Sequence, residues 1–273
     1  MKKLSFSNAM LWLGMAFLYL PMLIMIIYSF NGSKLVTVWG GFSVKWYGEL
    51  VKDQQLLDAV FTSLQIAFFS AFTAVFLGTL AAFVMARFKQ SFAKLTLSNM
   101  ITAPLVMPEV VTGLSLMLLF VAMFDLLGWP AERGVITIWI AHSTFCAAYV
   151  TVVVSARLQE LDRSIEEAAL DLGATPLVTF IFITLPMILP SLITGWFLSF
   201  SLSLDDLVIA SFVSGPGSTT LPMTVFSSVR MGVSPKINAL AGIMIMIVSL
   251  LALLFWYLSR RKEKLDRMQV NMV

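Results

Sequence analysis

Three carboxylates lie where a carboxylate is costly. Glu109, Asp205 and Asp206 fall within or at the edge of long apolar runs. A charge in hydrocarbon costs about 2.5–3.5 kcal/mol on insertion scales, so such a group is usually paired, hydrated or functional. No Lys or Arg falls inside any of these runs. Carboxylates without cationic partners, at two depths, suit the path of a cation. Plainer readings stay open. Asp205 and Asp206 serve equally well as interfacial caps of the element that follows, and Glu109 as a hydrogen-bonded carboxyl inside a bundle.

His142, Ser143 and Cys146 share one apolar run, a grouping that suggests a catalytic cluster. Small and polar residues also line the contacts between membrane helices, and interhelical packing with hydrogen bonding is the expected role. Neither H-E-x-x-H nor G-x-S-x-G occurs, and Asp205 and Asp206 are adjacent rather than on two helices, so no catalytic residue is assigned. Cys146 is the only cysteine and His142 the only histidine. That excludes an intrachain disulfide and argues against a zinc site, so no metal ligand is assigned. G-x-x-x-x-G-K-[ST] is absent too, so no nucleotide is expected on a P-loop of this chain.

A second group of residues invites a partner. Ser164 and Glu167 have the spacing of a capping box, with the serine closing the helix start and Glu167 reaching back. Ile165, Ala168, Ala169 and Leu172 follow the spacing of one helix face. Gly173 suits the C-terminal cap, and Pro176 prevents continuation. The pattern predicts a two-turn helix over about 164–172. Glu160, Asp162, Glu166, Glu167 and Asp171 outnumber Arg157 and Arg163 around it. A helix lying on an anionic membrane surface is usually basic, so this one would be repelled. Its small apolar face between carboxylates suits a groove on another protein, or equally a packed position on its own bundle.

The elements that must position these residues follow from composition. The chain has 273 residues, 59% hydrophobic and only 12% charged, against about 25% charged in a soluble domain. The lipid bilayer is the solvent that suits it. The net charge of +3 is small and not pooled, so no nucleic-acid partner is expected. A spanning helix needs about 20 apolar residues. Candidate spans are 9–31, 60–86, 99–124, 134–156, 179–204 and 238–258. The first is read as a retained helix, because it is longer than a signal-peptide core and lacks a small-x-small cleavage site.

Basic residues settle the topology, since loops on the cytoplasmic side carry the excess. With the N-terminus inside, six spans place Lys2, Lys3, Arg87, Lys89, Lys94, Arg157, Arg163, Arg260, Arg261, Lys262, Lys264 and Arg267 inside. Only Lys34, Lys45, Lys52, Arg133, Arg230 and Lys236 are left outside. Dividing the long apolar stretch from Leu177 to Val213 into two spans would put the basic tail outside. One span plus an irregular re-entrant or interfacial element over 205–214 is therefore expected. The acidic helix then faces the cytoplasm. The longer outer segments, 32–58 and 214–237, either receive a partner or cap helix ends, with Trp46, Tyr47 and Trp129 as interface anchors.

Glu167-Ala168-Ala169, three residues, Gly173, nine residues and Ile183-Thr184-Leu185-Pro186 resemble the EAA loop of bacterial ABC importer permeases at every position of that pattern. Ile27-Tyr28-Ser29-Phe30-Asn31, Ala103-Pro104-Leu105-Val106-Met107-Pro108, Ser203-Leu204-Asp205-Asp206 and Phe212 to Pro222 extend the likeness. They resemble the polyamine permeases of that binding-protein-dependent transport family, the putrescine branch first and the spermidine branch next. The resemblance implies an all-α, polytopic, MetI-like fold of the type I importers, with six transmembrane helices and a coupling helix between the fourth and fifth. It implies one permease domain over residues 1–273 in the bacterial inner membrane, with both termini cytoplasmic. Glu166, Glu167, Ala168, Ala169, Asp171 and Gly173 would couple to an ATP-binding subunit, itself a homodimer. Glu109, Asp205 and Asp206 would line the path of a polyamine. A second homologous permease and a periplasmic polyamine-binding protein would complete the system, and ATP and Mg would be used by the ATPase and not by this chain. An ion-coupled secondary transporter is the alternative, although such folds usually show internal repeats and none is visible here.

Overall fold

The computed structural model describes residues 6–35, 38–87, 91–232 and 235–270. Beyond Leu250, side-chain surroundings are described only for Leu253 and Tyr257. Lys2, Lys3 and Lys89, and the side chains of Arg260, Arg261, Lys262, Lys264 and Arg267, on which the topology argument drew, lie outside the described residues.

The described chain is helical apart from one isolated bridge between Asn31 and Phe42. The helices are α1 (Phe6–Ser29), α2 (Lys45–Val51), α3 (Gln54–Arg87), α4 (Phe92–Val106), α5 (Glu109–Leu127), α6 (Val135–Glu160), α7 (Arg163–Asp171) and α8 (Pro176–Thr179). After a π-helical turn, Phe180–Thr184, come α9 (Leu185–Asp205), α10 (Val208–Val213), α11 (Leu221–Met231) and α12 (Pro235–Val270). Among the described residues, five segments are long and apolar enough to cross a membrane: α1, α3, α5, α6 and the run Pro176–Asp205. Pro235–Leu250 is a shorter apolar stretch.

The chain divides into two compact units, Met1–Leu57 with Val225–Val273, and Asp58–Thr224. In the first, α1 and α2 both pack on α12. The turn after α1 is organised by Asn31. Its Nδ2 donates to the Val38 carbonyl at 2.7 Å, and its Oδ1 accepts the Gly40 N–H at 2.7 Å. Its own carbonyl accepts the Trp46 indole N–H at 2.6 Å, so Trp46 anchors α2 to the protein itself. The Ser29 and Tyr47 hydroxyls lie 2.7 Å apart. Gly242 of α12 leaves room for them, since a Cβ there would sit 3.2 Å from the Tyr47 Oη.

In the second unit α6 is the central helix, packed by α4, α9 and α10. Without a hydrophobic driving force between helices in lipid, close packing of small residues holds such contacts. Gly78 of α3 and Gly195 of α9 both meet Val150 of α6. A Cβ on Gly78 would lie 2.7 Å from the Val150 Cβ. Ala74, Ala82, Cys146, Val154, Leu158 and Ile188 fill the space around that valine. Ile66, Phe120, Ile138, Ala141, Ile209 and Val213 form a second buried cluster.

Two expected elements differ. The run read as one span over 99–124 is broken, because α4 stops at Val106 and α5 starts at Glu109, with Met107 and Pro108 extended between them. Proline forces the residue before it out of the helical region and brings no N–H of its own. The segment 205–214, expected to be irregular, contains the short helix α10 after a break at Asp206-Leu207. Its close approach to α5 needs Gly113, where a Cβ would lie 2.7 Å from the Phe212 ring.

Candidate functional site

The break before α5 and the break after α9 meet. Together they open a cavity of about 230 Å³ whose walls include Glu109, Asp205, Asp206, Phe145, Tyr149 and Pro104. Glu109 is the first residue of α5 and Asp205 the last of α9. The two depths inferred from sequence are thus one place. Folding the α4–α5 run back at Pro108 and ending α9 at Asp205 brings both carboxylates level with the middle of α6. Phe145 and Tyr149 stand one turn apart on α6 and supply the aromatic wall. Among the described residues, no Lys or Arg lines the cavity. Its floor includes the last turn of α9, where the helix dipole favours positive charge.

The three carboxylates are not equivalent. Glu109 and Asp205 are exposed to the cavity, and Asp206 is buried. Asp206 Oδ2 accepts the Ala210 N–H at 2.7 Å and Oδ1 the Ile209 N–H at 3.3 Å, so it caps α10. Its Oδ2 also lies 3.1 Å from His142 Nε2, and His142 Nδ1 lies 2.7 Å from Ser203 Oγ. Asp206 therefore takes the plainer of its two expected roles, as a cap of the element that follows, and is held by a histidine rather than by Lys or Arg. The sequence held no signal for this pair, because its members are 64 residues apart. Ser143 donates to the Trp139 carbonyl and Cys146 Sγ to the Ser199 carbonyl, so these two residues bond to helix backbone.

The acidic loop forms a compact device at the far ends of α3, α6 and α9. Asp162, not Ser164, caps α7. Its carboxylate accepts the Ser164 N–H at 2.9 Å, and that bond holds its pKa below the usual aspartate value. Ser164 lies inside the helix and the expected Ser164–Glu167 box is not formed, because the aspartate two residues earlier takes the cap. At the other end Gly173 has a φ of +90°. The Ala174 N–H reaches the Ala169 carbonyl and the Gly173 N–H the Leu170 carbonyl, a Schellman closure that favours glycine at this position.

Glu166 turns into the chain. Its Oε1 accepts from Arg87 Nη2 at 2.6 Å and from the Thr184 hydroxyl at 2.7 Å. Arg163 adds a bond to the Ala86 carbonyl at 2.9 Å. Ala169 is also buried against the chain itself. Within this chain, Glu166 and Ala169 thus pack inward. Glu167, Ala168, Asp171 and Leu172 stay exposed, Leu172 at 89%. Arg87 and Thr184 escaped the sequence reading, although Thr184 sits inside Ile183-Thr184-Leu185-Pro186. No cluster of three or more His, Cys, Asp or Glu side chains suited to a metal ion occurs among the described residues.

Comparison with known proteins agrees with this architecture. Residues 74–264 match the family described as binding-protein-dependent transport system inner membrane component. The chain is 63% identical over 254 residues to the putrescine transport system permease protein PotI of Escherichia coli strain K12, covering 93% of this chain and 90% of that protein. It is 38% identical over 263 residues to the spermidine/putrescine transport system permease protein PotC of Haemophilus influenzae, covering 96% and 100%. Its fold matches a chain of a bacterial ABC transporter involved in the import of the acidic polysaccharide alginate. The TM-score is 0.70 at 15% identity, over 93% of this chain and 94% of that one. It also matches a chain of the MetNI methionine ABC transporter, with a TM-score of 0.56 at 17% identity, over 73% and 91%. Helix content, cavity, closed acidic loop and family match converge: the chain is a multi-pass inner-membrane permease, a transport component rather than an enzyme, and belongs to the binding-protein-dependent transport system inner membrane component family.

Proposed function

We propose that this chain is half of the pore of an ATP-driven importer for a small organic dication, putrescine. The single observation that carries the reading is the cavity, in which Glu109 and Asp205 face one space lined by Phe145 and Tyr149 and, among the described residues, by no basic side chain. Carboxylates suit the ammonium heads, and the rings suit the stem and the charge. The 63% identity to PotI supports the choice of diamine.

In this proposal residues 1–273 form one transmembrane permease domain of the type I importers. The sixth span, 238–258, lies on α12, and both termini are cytoplasmic. A second homologous permease completes the pore, and a periplasmic polyamine-binding protein delivers the substrate. ATP and Mg belong to a homodimeric ATP-binding subunit, which receives the exposed face of α7 through Glu167, Ala168, Asp171 and Leu172. Gly173 ends the helix so that this face stands clear. Glu166 then carries motion inward. It holds Arg87 at the end of α3 and Thr184 at the start of α9, and α9 is a rod of about 32 Å at 1.5 Å per residue. Asp205 stands at the other end of that rod. A tilt of α7 thus moves one wall of the cavity.

The test is reconstitution of the chain with its ATPase, second permease and binding protein in proteoliposomes. Putrescine-stimulated ATP hydrolysis with putrescine accumulation supports the reading. ATP-driven uptake of a neutral or anionic solute, with none of putrescine, overturns it.

A further inference from the structure

Asp205 and Asp206 are neighbours in sequence with opposite surroundings. Asp205 makes no hydrogen bond to another residue's side chain among the described residues and is open to the cavity. The Asp206 carboxylate is occupied on both oxygens, by His142, Ala210 and Ile209. A neutral imidazole satisfies the whole set. With its proton on Nε2, that nitrogen donates to Asp206 and Nδ1 accepts from the Ser203 hydroxyl. His142 is 1% exposed, so no water competes for it. His142 lies on α6, Ser203 on α9, and Asp206 at the start of α10. The imidazole therefore ties three elements together behind the cavity wall.

We propose that His142 is a positioning residue that removes Asp206 from the ligand set and so fixes the number of free carboxylates in the cavity at two, Glu109 and Asp205. This rests on the cation reading of the cavity. Two free carboxylates match a diamine. A triamine would bring a third ammonium to a wall that has no free carboxylate left to meet it. Discrimination then comes from the missing third partner as much as from the two present. Releasing Asp206 supplies that partner and relaxes selectivity toward the triamine.

The experiment is equilibrium binding of radiolabelled putrescine to the purified complete complex, without binding protein, competed by spermidine. For His142→Leu the ratio of spermidine to putrescine affinity rises on the order of tenfold. His142→Gln, which keeps a donor, stays near the original ratio. The double variant His142→Leu/Asp206→Asn returns to it. An unchanged ratio in His142→Leu, or one that persists after Asp206→Asn is added, overturns the proposal. If His142→Leu does not assemble, the single variants decide: Asp206→Asn weakens putrescine binding at least fivefold less than Asp205→Asn does, and equal weakening overturns the proposal. Failure of the underlying cavity reading looks different, because putrescine binding then survives both Glu109→Gln and Asp205→Asn, or is absent from the wild-type complex.

Discussion

Glu166 accepts a hydrogen bond from Thr184 at 2.7 Å while it holds Arg87 at 2.6 Å. One carboxylate oxygen thus joins α7 to the ends of two membrane helices. Hydrogen bonds to charged groups contribute about 1.5–3 kcal/mol each, enough for the tether to persist while α7 is pushed. Glu166→Ala is expected to leave ATP hydrolysis in the assembled complex and to lower the amines moved per ATP severalfold. Thr184→Val is expected to act in the same direction, more weakly, because Arg87 is retained. The check is uptake and hydrolysis measured on the same proteoliposomes. A ratio unchanged in both variants shows that the tether carries no motion.

The exposed side of α7 should behave differently. Glu167 and Leu172 are exposed, so Glu167→Arg should keep the chain's melting temperature within about a degree or two. It should nevertheless sharply reduce recovery of the ATP-binding subunit on affinity purification. Gly173→Val is expected to combine both effects. A β-branched residue at a φ of +90° costs about 1–3 kcal/mol and opens the end of α7. Purification yield of the partner, compared with a thermal melt, separates the two.

The ion pair between Lys236 and Asp53, at 3.1 Å, gives a pH prediction. The hydrogen bond from Lys236 lowers the Asp53 pKa below its ordinary 3.8, and burial opposes this more weakly. A depressed folded-state pKa means that the folded chain binds fewer protons than the unfolded one. The contribution is therefore present in full above the ordinary value and is lost as pH falls through the lower, folded one. The pair is partly solvated and contributes about 0–1 kcal/mol. Lys236→Met should lower the melting temperature slightly and evenly from about pH 5 to pH 8. The gap should close as the pH is taken below 4. A gap that grows on acidification contradicts the assignment.

Much of this was legible in the sequence, for identifiable reasons. The apolar runs and the E-A-A to L-P spacing are local signals, and the helix around Glu167 and its end at Gly173 follow from residue types a few positions apart. What escaped depends on contacts between distant residues. Nothing local shows that His142 meets Asp206, or that Glu166 faces Arg87 rather than a partner. The equal spacing of Ala168 and Ala169 conceals that one is exposed and the other buried. The expected continuous span over 99–124 differs because the apolar run masks Pro108, which separates two helices. That break lets Glu109 open a helix beside Asp205 instead of lying at a second depth.

Packing around Val150 gives a stability test. A Cβ at Gly78 would lie 2.7 Å from the Val150 Cβ and 2.9 Å from the Ala147 carbonyl oxygen, so helix backbone as well as side chain must shift. Gly78→Val is expected to cost about 1–3 kcal/mol, the usual range for overpacking, and to lower the melting temperature of the purified chain. Adding Val150→Ala should recover a small part of that loss, since it removes the Val150 Cγ1 that would lie 2.8 Å away but keeps the Cβ and the Ala147 carbonyl. Independent, additive effects of the two changes would mean that α3 and α6 do not meet there.

The central claim is that Glu109 and Asp205 receive the cation. The most direct measurement is ATP-driven putrescine uptake by the reconstituted complex carrying Glu109→Gln, Asp205→Asn or both. Each single change is expected to raise the KM by at least about tenfold, and the pair to abolish saturable uptake while the complex remains assembled. Uptake with an unaltered KM in the assembled double variant would contradict the account.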